Sequence, residues 1–379
     1  MSTRHVPAVI LGAGAMGAAT AYHMARRDQP FILVEQFTLG HDRGSSHGAA
    51  RITRHSYADP AYARLMIDAF QAWRELEADS GRSLYIRTGG VSISPRGTDY
   101  VANVARSLEA IKVPFRRMTG TDLNRILPTF GVEADSDVVF EPDAGILAAR
   151  EAIRAEIDTA RRLGGDRTQI IEQAPILHLD LEGKHPALIL AEETLSTDHL
   201  IITAGAWTGR LIPKLASKLR PTRQQVLYFR PSNPSPFAIG RFPVFIYKGE
   251  ADDDAYYGMP ESLGMGVKVA RHDGPEVDPD QVGRIVEEDY RTVIRQFLRR
   301  TIPVLADSAS DHEEVCLYTM SRDEEFRVGL LPGRTDVIVA SPCSGHGFKF
   351  SCLIGRVLAD LVIDGHSRMA LDSWRLDRS

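Results

Sequence analysis

Gly12, Gly14 and Gly17 follow the apolar run Ala8-Val9-Ile10-Leu11 and open a helix-forming stretch from Met16 to Arg27. That spacing makes a turn in which backbone meets a pyrophosphate at a helix N-terminus. Gly12 permits the tight turn, Gly14 the close approach, and Gly17 the contact of helix with sheet. A second strand-like run, Phe31-Ile32-Leu33-Val34, ends in Glu35, 18 residues beyond Gly17 and placed to bind a ribose hydroxyl. An acid at that point disfavours the 2′-phosphate of NADP. Glycine loops of this pattern occur without ligands, but strand, helix, strand and terminal acid in order indicate a bound dinucleotide.

Other residues carry charge where charge is expensive. Lys268 lies within the apolar strand Met265 to Ala270, where an unpaired ammonium is costly to bury; an edge lysine that blocks aggregation is the plain alternative. Arg51 and Arg54 sit three apart in a Gly/Ser-rich stretch and suggest an anion site. On an extended segment they face opposite ways, and the planar fork of either suits a carboxylate. Lys349 follows the turn Ser344-Gly345-His346-Gly347 and adds a point charge, unless it merely snorkels at the start of the last helix. The three cysteines, Cys316, Cys343 and Cys352, are odd in number and confined to the last fifth of the chain. They form no disulfide framework and fit a reducing, cytoplasmic setting. The spacing discloses no metal-ligand cluster and no Ser/His/Asp nucleophile.

The elements that position these groups follow from periodicity. The 379 residues are 43% hydrophobic and 25% charged with a formal net charge of −5, which favours small-molecule chemistry over nucleic acid or an anionic membrane surface. No apolar run approaches a membrane span, and the strand behind Arg4 and His5 argues against an export signal. Leu65, Ala69, Ala72 and Leu76 mark one face of a helix from Tyr62 to Ser80; a second helix is expected from Arg150 to Leu163 and a last one from about Phe350 to Ile363. Strands are expected at Gly89 to Ser94, Ala187 to Leu190, Leu200 to Ala204 and Val337 to Ala340, with a turn-rich strand region from Gln224 to Val269. The reading is α/β: a Rossmann-like nucleotide domain from residues 1–84, 145–223 and 325–379, with an inserted α+β substrate domain from 85–144 and 224–324 on a mainly antiparallel sheet. The ligand crevice falls where the two meet.

Several segments carry a family resemblance: Gly12 to Gly17, Gly44-Ser45-Ser46-His47-Gly48 with Arg51-Ile52-Thr53-Arg54, Tyr256-Tyr257-Gly258, Val267-Lys268-Val269 with His272, Val315-Cys316-Leu317-Tyr318-Thr319, and Ser344 to Phe350. They resemble monomeric sarcosine oxidase, N-methyltryptophan oxidase and fructosyl-amino-acid oxidases, in the same order along nearly the whole chain. The resemblance implies FAD, attached through its 8α-methyl to Cys316, and oxidation of a secondary N-alkyl amino acid with dioxygen as acceptor and hydrogen peroxide as product. It implies a small amino-acid-like substrate; the charge already argues against a nucleic-acid or membrane partner, and the oligomeric state, a monomer or larger, is left open. By the same resemblance, Arg54 and Lys349 clamp the substrate carboxylate, and Lys268 stands over the flavin where oxygen is reduced. Arg51, His272, Tyr257 and Tyr318 complete the catalytic surroundings, with Tyr257 and His272 also touching substrate. Cofactor contacts fall on Gly12, Gly14, Met16, Gly17, Glu35, Gln36, Ser45, Arg51, Cys316, Gly345, His346, Gly347 and Lys349.

The chain also departs from the family pattern. Ser46-His47 stands where a His-His pair is typical, Ala49-Ala50 where a polar pair is common, and Met259 where an aromatic is common. Asp252 to Asp254 are either a loop that repels anionic substrates or a solvated turn. An FAD dehydrogenase for a 2-hydroxy acid or amino acid, passing electrons to an acceptor other than oxygen, is the alternative activity.

Overall fold

In the computed structural model, which describes residues 2–251, 254–261, 264–369 and 371–378, the chain forms two large sheets and a small one. Asp252 and Asp253, singled out above, lie outside the described residues. The first sheet grows from the apolar strand Ser2–Leu11, which pairs in parallel with Glu193–Ile202 on one side and Phe31–Val34 on the other. Val337–Ser341 and Thr168–Ile171 extend it, also in parallel. Strands buried on both faces need helical cover. Ala15–Arg26, Pro60–Ser80, Ala149–Gly164 and Ser351–Ile363 supply much of it, packing Ala18, Ala21, Met66, Ala69, Trp73, Ile354 and Leu358 into one core.

Local chemistry sets the helix ends. Asp59 accepts a hydrogen bond from Ala61 N at 2.7 Å, Pro60 occupies the first turn, and Gly81 closes the helix at φ 68°. The helix therefore begins two residues ahead of the expected Tyr62, at its cap.

The second sheet runs in the order Ala309–Met320, Arg220–Arg230, Val267–Arg271, Ala255–Met259, Val244–Lys248, Gly90–Ser94, Asp137–Glu141, Arg116–Thr119. It is antiparallel except where Val244–Lys248 meets Gly90–Ser94. One face packs on the helix Glu288–Thr301, with Tyr256 stacked on Phe297 at 3.9 Å between ring centroids. Two expected boundaries need correction. The division at 223/224 falls inside the continuous strand Arg220–Arg230, and Tyr85–Arg87 pairs with Gly145–Ala148 in the small sheet that also holds Ala50–Thr53. Strand pairing, which composition does not register, decides both.

Glu156, on the helix Ala149–Gly164, is fully buried, and neither carboxyl oxygen has a hydrogen-bond partner among the described residues. Burial raises its pKa well above the usual 4.5, so the folded chain holds a proton that the unfolded chain releases above that value. Its contribution to stability is therefore lost as pH rises from the unfolded toward the folded pKa. Glu156→Gln should melt higher than wild type, with a margin that widens as pH rises above the usual value of 4.5. A margin independent of pH would show that this carboxyl does not titrate with folding.

Candidate active site

The expected nucleotide turn has φ +100° at Gly12, and a Cβ on Gly17 would stand 1.8 Å from the Gly12 carbonyl oxygen. Helix and turn can close only with glycine at these positions. Gly17 does not line the cavity; of the expected cofactor residues it serves by packing alone, against Gly12 and Thr203. Glu35, buried at the end of its strand, accepts from Ala13 N at 2.8 Å and from Phe37 N at 2.9 Å, which ties the acid to the turn. Ser46, which was not singled out as a contact, accepts from Ala15 N at 3.0 Å. Its place beside Ser45 in the Gly/Ser loop was the available signal.

Pleating assembles the other wall. Alternate residues of a strand share a face, and the registers Met259↔Lys268, Tyr257↔Ala270, Tyr228↔Lys268 and Gln224↔Cys316 put Tyr257, Met259, Lys268, Cys316 and Tyr318 on the face turned away from Phe297. A single cavity of about 1530 Å³ joins this wall to the turn. It is lined by Gly12, Gly14, Met16, Glu35, Gln36, Ser45, Arg51, Arg54, Tyr257, Lys268, His272, Cys316, Tyr318, Gly345, His346, Gly347 and Lys349. Gly345 joins the two sheets: at φ 75°, a Cβ there would lie 2.2 Å from His272 Cε1 and 2.6 Å from Tyr318.

The arginines divide their work. Arg51 donates to the carbonyls of Ala50 and Ser45 at 2.9 Å and of His47 at 2.5 Å, bracing the Gly/Ser loop. Arg54 lies over the Tyr57 ring, 4.5 Å from its centroid, and its buried Nη1 has no partner among the described residues. Lys349 Nζ donates to Tyr57 Oη at 2.9 Å and to the His346 carbonyl at 2.8 Å. Burial, then Arg54, pushes the Lys349 pKa well below its ordinary value. His346 pairs with Tyr57 Oη through Nδ1 at 3.2 Å and stacks on Phe326, so it supports the lysine from behind.

Two partners come from afar. Glu141, fully buried, accepts from His55 N at 2.9 Å, His55 Nδ1 at 2.7 Å and Ser56 N at 3.0 Å. Burial acts to raise its pKa, but those bonds prevail and hold it below the usual range. It thereby fixes the turn that carries Arg54 and Tyr57. Glu314 accepts from Tyr228 Oη at 2.9 Å and faces Lys268, whose pKa burial and Arg51 push down to about 8 against the pull of Glu314. Burial also pushes the Cys316 thiol up, opposed by Arg51 and Lys268. The net effect of these surroundings is to disfavour the Cys316 thiolate. Cys343 lines the same cavity, its thiol raised to about 11 by burial.

Among the described residues, three potential metal ligands converge once, at His5, His185 and Asp198, and none of them lines the cavity. No helix is long and apolar enough to cross a membrane.

A parallel sheet opening through a glycine turn into a cation-lined cavity defines a nucleotide-cofactor protein of the α/β class. A family model described as FAD dependent oxidoreductase matches residues 8–361, and the chain belongs to that family. It is 32% identical over 389 residues to the monomeric sarcosine oxidase of Bacillus sp. (strain B-0618), covering 100% of this chain and 97% of that protein. It is 29% identical to the N-methyl-L-tryptophan oxidase of Salmonella newport (strain SL254), covering 98% of each. Among solved structures, NikD, an unusual amino acid oxidase essential for nikkomycin biosynthesis, superimposes with a TM-score of 0.85 at 20% identity over 98% of this chain and 97% of that one. The L-proline dehydrogenase of P. horikoshii gives 0.83 at 19%, over 99% and 97%. These likenesses confirm the α/β fold with its nucleotide domain and second sheet.

The residues present fit FAD: the cavity exceeds the roughly 300–1,000 Å³ of ordinary ligand pockets, and the turn, the Gly/Ser loop and Glu35 line one continuous part of it.

Glu141→Gln removes charge-assisted bonds worth roughly 1.5–3 kcal/mol each. It should lower the melting midpoint and weaken acid substrates through the displaced Arg54. Unchanged melting and unchanged KM together would remove Glu141 from the support of this site.

Proposed function

We propose that this protein is an FAD-dependent amine oxidase acting on a secondary N-alkyl amino acid such as sarcosine. The substrate is oxidised to an imine, which water hydrolyses to amino acid and aldehyde, while dioxygen is reduced to hydrogen peroxide. The observation that carries the reading is one cavity holding the nucleotide turn, the Arg54, Tyr57 and Lys349 group, and Lys268. The sequence likeness to sarcosine and N-methyltryptophan oxidases over the whole chain supports it. FAD, when bound, supplies the two-electron redox chemistry.

In this reading the chain's residues bind, orient and stabilise charge. Arg54 offers its unpartnered Nη1, and Lys349 an ammonium anchored by Tyr57 and His346, to the substrate carboxylate. Tyr257, Tyr318 and His272 shape the space above; burial holds His272 neutral, its pKa down to about 4. Arg51 braces the loop along the cofactor. Lys268 supplies positive charge where negative charge develops on oxygen. Cys316 is the residue for covalent attachment, with Arg51 and Lys268 as the charges that favour its thiolate.

Anaerobic bleaching of the yellow protein by N-methyl amino acids tests the activity; no bleaching by any member of a broad panel would overturn it. Acid-precipitated protein should stay yellow in wild type and Cys343→Ala but not in Cys316→Ala. Flavin released from wild type would refute the linkage and leave FAD itself untouched. Arg54→Met and Lys349→Met should each lose about 10- to 150-fold in kcat/KM for an acid substrate. Lys268→Met should slow reoxidation by oxygen roughly 10²- to 10³-fold and anaerobic reduction far less. Because the ammonium is lost as pH rises through about 8, wild-type reoxidation should slow across that range and the variant's should not. Stopped-flow absorbance separates the two half-reactions; an unchanged oxygen reaction in Lys268→Met would remove Lys268 from the oxygen site, and a wild type reduced by substrate but only slowly reoxidised by oxygen would favour a dehydrogenase.

A further inference from the structure

Lys248 ends the strand Val244–Lys248, pairs with Ala255, and lines the cavity. On its other side Ala255 accepts the His272 N–H at 2.7 Å, so Lys248, Ala255 and His272 form one row across three strands. Neighbouring strands lie about 4.8 Å apart, which puts the lysine and histidine backbones roughly 10 Å apart with only a methyl group between them. By pleat, Lys248 shares its face with Ile246, Tyr257, Ala270 and Lys268, the face that bears the active-site side chains. Half-buried, its ammonium has no hydrogen-bond or ion-pair partner among the described residues, although Asp254 lies in the same hairpin.

A substrate with a single carboxylate is already served by Arg54 and Lys349, leaving a third cation on the substrate wall with nothing to bind. His272 lies within the field of both lysines, since Lys349 and Lys248 each add to the burial that lowers its pKa. Its neutral ring, which lines the cavity within the field of both lysines, has one N–H to donate.

We infer that Lys248 and His272 form a second anion subsite, and that the substrate is a secondary amino acid bearing a second carboxylate on its side chain or N-substituent. This rests on the oxidase reading above. Lys248 is then a specificity residue: it separates dicarboxylic from monocarboxylic substrates without touching the reacting carbon.

The test compares N-methyl-L-glutamate, N-methyl-L-aspartate and iminodiacetate with sarcosine in the flavin-loaded protein. Wild type should favour at least one dicarboxylate in kcat/KM. In Lys248→Met the ratio of that dicarboxylate to sarcosine should fall at least about 10-fold, the loss of one charge-assisted contact, and Lys248→Arg should restore much of it. Binding is read separately: glutarate, which cannot be oxidised, should raise the melting midpoint of wild type more than acetate does, and the difference should vanish in Lys248→Met. An equal ratio in wild type and Lys248→Met, or no advantage of glutarate over acetate, overturns the inference while the oxidase reading stands. If no amino acid bleaches the flavin yet glutarate binds in a Lys248-dependent way, the oxidase reading fails and the anion subsite survives.

Discussion

Keeping several cations out of bulk water around one cavity is the constraint on which the rest of this structure turns. Arg51, Arg54, Lys268 and Lys349 line a common space, and burial disfavours the charged form of each lysine. The fold answers differently for each group. Arg51 spends its fork on three backbone carbonyls. Lys268 faces Glu314, a carboxylate held by Tyr228. Lys349 leans on a phenol and a carbonyl, which stabilise it without cancelling its attraction for an anion. Of these four, only Arg54 retains a buried donor without a partner among the described residues. Preorganised positive charge of this kind is strong because water has been excluded from it.

The same constraint explains how much of the site was legible in the chain. The nucleotide turn was readable because its chemistry is local: Gly12, Gly14, Gly17 and Glu35 follow one another through a strand, a helix and a strand. Lys268 was readable because an ammonium in an apolar strand is an anomaly in any context. Tyr57 was not, since its partner Lys349 lies 292 residues away, and Glu141, 86 residues from His55, looks like any acid at a strand end. Glu314 stood closer to view. Two residues before Cys316 on a strand, it had to share the cysteine's face, and that alternation was the unused signal.

Boundaries show the opposite weakness. Composition shifts near residue 224, but the strand Arg220–Arg230 crosses that point without a break because its hydrogen-bonded neighbours, Ala309–Met320 and Val267–Arg271, lie far ahead in the chain. Gly17, by contrast, serves the nucleotide turn through the backbone it packs on, as the motif's third glycine is expected to do.

On the side away from Ser2–Leu11, the parallel partner of Glu193–Ile202 is Val337–Ser341, and the turn that bridges the two sheets is Ser344 to Gly347. During synthesis the nucleotide sheet therefore leaves the ribosome with one edge open for more than a hundred residues, a template on which other chains can pair. The cavity has no complete wall until Gly345 to Lys349 have emerged. A chain that stops short of Val337 therefore leaves part of Glu193–Ile202 unpaired and lacks the Gly345 to Lys349 wall, which makes it an aggregation hazard rather than a slower version of the same site.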